Sequence, residues 1–69
     1  MIKPRTGSTY TIPNGSTYLK VVKVKYSGET YCRAKIQFFT KFGNQLIDTT
    51  NNAKIYYENI QHWRRLGEN

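Results

Sequence analysis

The chain is poor in the residues from which most active sites are assembled. It holds one cysteine, Cys32, one histidine, His62, and four acids against eleven lysines and arginines. A single cysteine excludes an intramolecular disulfide and a Cys-rich zinc site, and points to a reducing compartment. A single histidine excludes a histidine pair as catalytic or metal-ligating centre. The acids, Glu29, Asp48, Glu58 and Glu68, fall in expected turns or at element ends, without the spacing of a calcium loop. No glycine-rich stretch has the pattern that cradles phosphate. Catalytic residues, metal and cofactor are therefore all expected to be none, and the chain reads as non-enzymatic. Long apolar runs are missing as well: nothing approaches a membrane span, and the first residues lack the apolar core of a signal peptide. A cytoplasmic protein without membrane contact is the expectation.

What is present is positive charge and strand-forming residues. The formal charge is +7 on 69 residues, a field that attracts nucleic acid or an acidic protein surface and speeds their encounter at low salt. So short a chain is one domain with a thin core, close to the lower size for folding without disulfides or metal. Residues 1–7, with Lys3-Pro4-Arg5, read as a basic arm ahead of a single domain over 8–69.

Two runs, Thr17 to Tyr26 and Thr30 to Thr40, form the centre of the pattern. They are rich in valine, isoleucine, tyrosine and phenylalanine and are joined at Ser27-Gly28-Glu29, which predicts a hairpin. In the second run Cys32, Ala34, Ile36 and Phe38 share one parity, and Arg33, Lys35 and Gln37 the other. The parity makes Cys32 a core residue rather than half of a Cys-His pair. In the first run the apolar parity changes, from Leu19 and Val21 to Val22, Val24 and Tyr26. A bulge or bend near Val21-Val22 would restore one continuous buried face.

The flanking segments are shorter. Ser8 to Ile12 is an expected strand, followed by a turn at Pro13-Asn14-Gly15-Ser16. Lys41-Phe42-Gly43-Asn44 is a second turn, Gln45 to Thr49 a short strand, Asp48 to Asn52 a polar loop, and Ala53 to Tyr57 a last strand. Beyond it Ile60, Trp63 and Leu66 recur every three residues, the period of a 3₁₀ turn or short helix. Asn59 would cap it, Arg64 and Arg65 would sit at its C-terminal end, and Trp63 would plug the fold.

Five short strands with tight turns and a terminal helical turn predict an all-β, five-stranded SH3-like barrel. Gly7-Ser8-Thr9-Tyr10, Gly15-Ser16-Thr17-Tyr18 running into Val22, and the aromatic closing turn from Ile60 to Leu66 resemble a loose group of small bacterial and phage SH3-like barrel proteins. The resemblance implies the same barrel, plugged at one end by that turn.

Cations and aromatics interleave along the central hairpin. With the bulge in place, Lys23 and Lys25 share an outer surface with Arg33 and Lys35. The candidate nucleic-acid-binding set is Lys20, Lys23, Lys25, Tyr31, Arg33, Lys35 and Phe39, extended by Lys54, Arg64 and Arg65. Cations suit phosphates, and aromatics suit stacking on bases of DNA or RNA without sequence preference. The competing reading is a protein-interaction module or a phage-type inhibitor of a host protein. It would grip an acidic or nucleic-acid-binding surface, or hold an extended peptide between Tyr10, Tyr18, Phe42 and Tyr57. A third reading leaves the lysines merely solvated on a strand surface. Monomer and homodimer are both compatible with the sequence.

Overall fold

The computed structural model describes residues 1–68; Asn69, the last residue of the expected domain, lies outside them. The chain is all-β. Strands β1 (Ser8–Thr11), β2 (Thr17–Ser27), β3 (Tyr31–Thr40), β4 (Leu46–Tyr56) and β5 (Arg64–Glu68) form one antiparallel sheet, and a 3₁₀ turn, Tyr57–Ile60, separates the last two. The spatial order is β4-β3-β2-β1-β5: a four-strand meander whose fifth strand returns beside the first. The sheet is not closed, and β4 and β5 are its two edges among the described residues.

The turns form where the sequence supplies their special backbone. The Gly15 N–H donates to the Ile12 carbonyl at 3.1 Å, and Asn14 has a φ of 65°. Proline as second residue and a positive φ at the third are the marks of a type II turn. At the β3–β4 turn Gly43 and Asn44 both have positive φ, 81° and 51°, and Thr40 ties the corner by donating to the Phe42 carbonyl at 2.6 Å.

The bulge expected near Val21-Val22 is present. The register with β3 jumps between Val21 and Lys23, which leaves Val22 unpaired and keeps Leu19 and Val21 buried. A second jump, between Val24 and Tyr26, leaves Lys25 unpaired. Unbroken alternation from Val22 to Tyr26 would have put Tyr26 on the buried parity. The second bulge turns it outward instead, opposite Arg33 and half exposed.

Two corrections concern the C-terminal half. The segment Asp48 to Asn52, expected as a loop between two short strands, belongs to one continuous strand, β4. Its polar residues are accepted because an edge strand pairs with one neighbour only, and strand preference depends on such context. Bulges absorb the mismatch, one opposite Lys35 around Asn51-Asn52 and one at Ile47. The expected helical turn from Glu58 to Leu66 is also shorter. It ends at Ile60, its first residue follows Tyr56 without a side-chain cap from Asn59, and residues from Arg64 onward are the fifth strand. Every-third-residue spacing over so few positions does not separate one 3₁₀ turn from the start of a strand.

The core gathers Tyr10, Leu19, Val21, Cys32, Ala34, Ile36, Ile55, Tyr57 and Ile60, with Ile2, Phe38 and Trp63 among the half-buried residues packed against it. Trp63, expected to plug the fold, is half-buried and leans on Tyr10, ring centroids 5.7 Å apart, whereas Tyr57 and Ile60 are the buried residues of this segment. Tyr57 donates from its hydroxyl to the Gly28 carbonyl at 2.9 Å, and its N–H reaches the Thr30 carbonyl at 3.0 Å. The turn is thereby tied to the tip of the β2–β3 hairpin. Residues 1–7 are tied down too. The Gln61 side chain accepts from the Ile2 N–H at 2.9 Å and donates to the Ile2 carbonyl at 3.2 Å. The Gly7 N–H donates to Val21, and Thr6 Oγ1 accepts from the Val24 N–H beside the bulges.

Candidate nucleic-acid interface

Register determines what the outer surface of β2, β3 and β4 can do. Residues opposite one another in a sheet share a face, so each cross-strand row can be read from the pairing. At one end Phe39 lies between Tyr18 and Leu46. Gln37 lies next, between Lys20 and Thr49. Lys35 stands across from Lys23, beside the Asn51-Asn52 bulge. Arg33 lies between Tyr26 and Lys54, and Tyr31 is paired with Tyr56 at the far end. Five cations, Lys20, Lys23, Lys35, Arg33 and Lys54, thus form a ladder across the face.

Aromatic groups close the ladder at both ends. Tyr18 and Phe39 stack with centroids 5.2 Å apart and planes 14° apart, and the Tyr18 hydroxyl donates to Asn44 Oδ1 at 3.1 Å. At the other end Tyr31 stands between Tyr26 and Tyr56, at 5.4 and 5.8 Å. The Lys54 ammonium lies 4.6 Å from the Tyr31 centroid and 5.1 Å from that of Tyr56, and the Arg33 guanidinium 6.0 Å from Tyr31. The two cations are thereby held against the aromatic cluster by attraction to the ring faces. Tyr26 and Tyr56 are 50% and 40% exposed, which leaves area for a base to cover.

The residues predicted from sequence are therefore sorted. Lys20, Lys23, Lys35, Arg33, Lys54, Tyr31 and Phe39 come together. Lys25 sits exposed in the second bulge, outside the paired rows. Arg64 and Arg65 are not at a helix end. They lie on β5, where a register shift between Thr9 and Tyr10 puts Arg64 opposite Thr11 and Arg65 opposite Tyr10. Thr11 is in turn opposite Tyr18, so Arg64 belongs to the ladder side and Arg65 to the side of the buried Tyr10.

Tyr18 and Tyr26 are site residues that the sequence reading placed elsewhere. Tyr18 shares the outward parity of Lys20, a signal that was present. Tyr26 had none, because its direction depends on the bulge at Lys25. The alternative peptide groove is not assembled: Tyr10 and Tyr57 are core residues, whereas Phe42 is 89% exposed in the β3–β4 turn.

Other chemistry is sparse. Cys32 is buried, and burial pushes its thiol pKa up, away from a reactive thiolate. Among the described residues no three His, Cys, Asp or Glu side chains group as metal ligands, and no helix is long and apolar enough to cross a membrane. No family model, curated protein or solved structure matches this chain.

Proposed function

We propose that the protein is a small non-enzymatic nucleic-acid-binding protein of SH3-like architecture, which holds a single strand across the outer face of β2, β3 and β4. The observation that carries this reading is the cation ladder bounded by aromatic clusters at both ends. Opposing strands concentrate like charge there, with Lys23 directly across from Lys35. Such a pair costs folding energy and is relieved by a bound polyanion. The phosphates lie along the ladder, and the exposed rings of Tyr26 and Tyr56 stack on bases. Phosphate contact and stacking carry no sequence information, so the proposed binding is independent of sequence. The meander, the returning fifth strand and the 3₁₀ turn before it support the SH3-like reading of the architecture.

Titration of labelled single-stranded and duplex DNA and RNA at several salt concentrations tests the proposal. Binding should weaken steeply with salt, favour single strands, and fall when Lys23, Arg33 and Lys35 are replaced by alanine. Absence of binding at low salt removes the proposal.

One observation favours a second reading, contact with an acidic protein surface in a cytoplasmic partner. Phe42, Leu46 and Ile47 are exposed together at the corner where β3 turns into the edge strand β4, beside the Tyr18–Phe39 end of the ladder. Aromatic and aliphatic anchors next to cations suit a protein interface.

A further inference from the structure

The turn between β3 and β4, residues 41–45, buries none of its side chains, yet its backbone is held from several directions. Thr40 and Gln45 close its base: the Thr40 N–H donates to the Gln45 carbonyl at 2.9 Å, and the Gln45 N–H to Thr40 Oγ1 at 3.1 Å. The Thr40 hydroxyl donates in turn to the Phe42 carbonyl at 2.6 Å. Neighbouring elements grip the turn from outside. The Lys41 N–H donates to the Ser16 carbonyl at 3.0 Å, and Asn44 Oδ1 accepts from the Tyr18 hydroxyl at 3.1 Å. Gly43 and Asn44 supply the positive φ values that so tight a corner requires.

What this fixed corner presents is apolar. Phe42 is 89% exposed, and Leu46 and Ile47, at the start of β4, are 55% and 54% exposed. Leu46 pairs with Phe39, which pairs with Tyr18, so Leu46 belongs to the end row of the outer face, and Phe42 lies in the turn beyond that row. An aromatic side chain carried on a backbone fixed in advance leaves little ordering to be done when it binds.

Continuity with the ladder selects what covers the corner. A single strand drawn along Lys35, Lys23 and Lys20 leaves the face at this end, where its next base comes within range of Phe42. By themselves three apolar side chains fall short of a specific protein interface, which takes roughly 800 Å² from each partner, whereas one exposed ring suffices for one base.

We propose that Phe42 is a further stacking platform, which extends the nucleic-acid face around the β3–β4 corner and takes one base of a single strand, with Leu46 and Ile47 beside it. This inference rests on the binding reading of the ladder. It adds a base contact to that face without adding a charge.

Affinity for a single-stranded oligothymidylate that spans the ladder, measured at several salt concentrations for the parent, Phe42→Ala, Phe42→Leu and Phe42→Trp, tests it. Phe42 is so exposed that none of the three substitutions should disturb the fold. Phe42→Ala and Phe42→Leu should both lose at least about fivefold, the low end of what one stacked base contributes, and Phe42→Trp should bind as well as the parent or better. The slope of log affinity against log salt should stay that of the parent, because no charge changes. A parent that binds no oligonucleotide at low salt removes the ladder reading and this one with it, and leaves the corner to a protein partner. A parent that binds, with Phe42→Ala indistinguishable from it, overturns the platform alone. So does a Phe42→Leu variant that keeps full affinity, because leucine preserves apolar contact but not stacking.

Discussion

Lys23 of β2 and Lys35 of β3 occupy directly opposite positions on the outer face of the sheet. Like charges so placed oppose folding, and a threonine would fit the pleated surface better. Lys35→Thr should therefore raise stability by about 0.2–1 kcal/mol in urea denaturation while weakening single-strand binding. A variant that loses stability would mean that the lysine stem, and not its charge, is what the fold uses at this position.

Tyr57 joins the 3₁₀ turn to the hairpin tip, and its removal should matter more than that of the larger Trp63. Tyr57→Phe leaves the ring in place and loses the hydrogen bond to Gly28, at a cost of about 1 kcal/mol. Tyr57→Ala empties a fully buried site and should cost about 3–5 kcal/mol. Trp63→Ala should cost less than Tyr57→Ala, because the indole is only half-buried. Equilibrium unfolding of the three variants gives the order.

Tyr31 is the centre of an aromatic trio, and stacking on bases is worth about 1–3 kcal/mol per base. Tyr31→Ala should reduce affinity for single strands by that amount and affect duplex binding less. Parallel titrations with a single strand and a duplex separate stacking from charge.

Much of this was legible in the sequence, and the exceptions have physical causes. The central hairpin showed itself through the parity of Cys32, Ala34 and Ile36, and the parity change at Val21-Val22 located the first bulge. The second bulge left no trace, because Lys23-Val24-Lys25-Tyr26 reads as regular alternation whichever residue is unpaired. Asp48 to Asn52 has the composition of a loop, and only pairing with β3 makes it a strand. Arg64 and Arg65 were grouped by adjacency, whereas the register shift at β5 sends them to opposite faces. The ladder was thus readable as a list of cations, but its aromatic boundary at Tyr26 and the destination of Arg65 required the register.

Burial raises the Cys32 thiol pKa, and the sign of its effect on stability follows. Above about pH 8.5 the unfolded thiol ionises while the folded one keeps its proton, so the unfolded state binds fewer protons and stability falls as pH rises. Below that range the group contributes no slope. Denaturation midpoints between about pH 7.5 and 9.5 should decline in the parent and decline less in Cys32→Ala. Reaction with a thiol reagent should follow the rate of unfolding.

The most direct test of the ladder is the slope of log affinity for a single strand against log salt, compared between the parent and Lys23→Gln/Lys35→Gln. Each phosphate neutralised contributes about −0.7 to that slope, so the double variant should be shallower by about 1.4 and bind more weakly throughout. An unchanged slope would mean that these lysines touch no phosphate, and would contradict the assignment of this face as the binding surface.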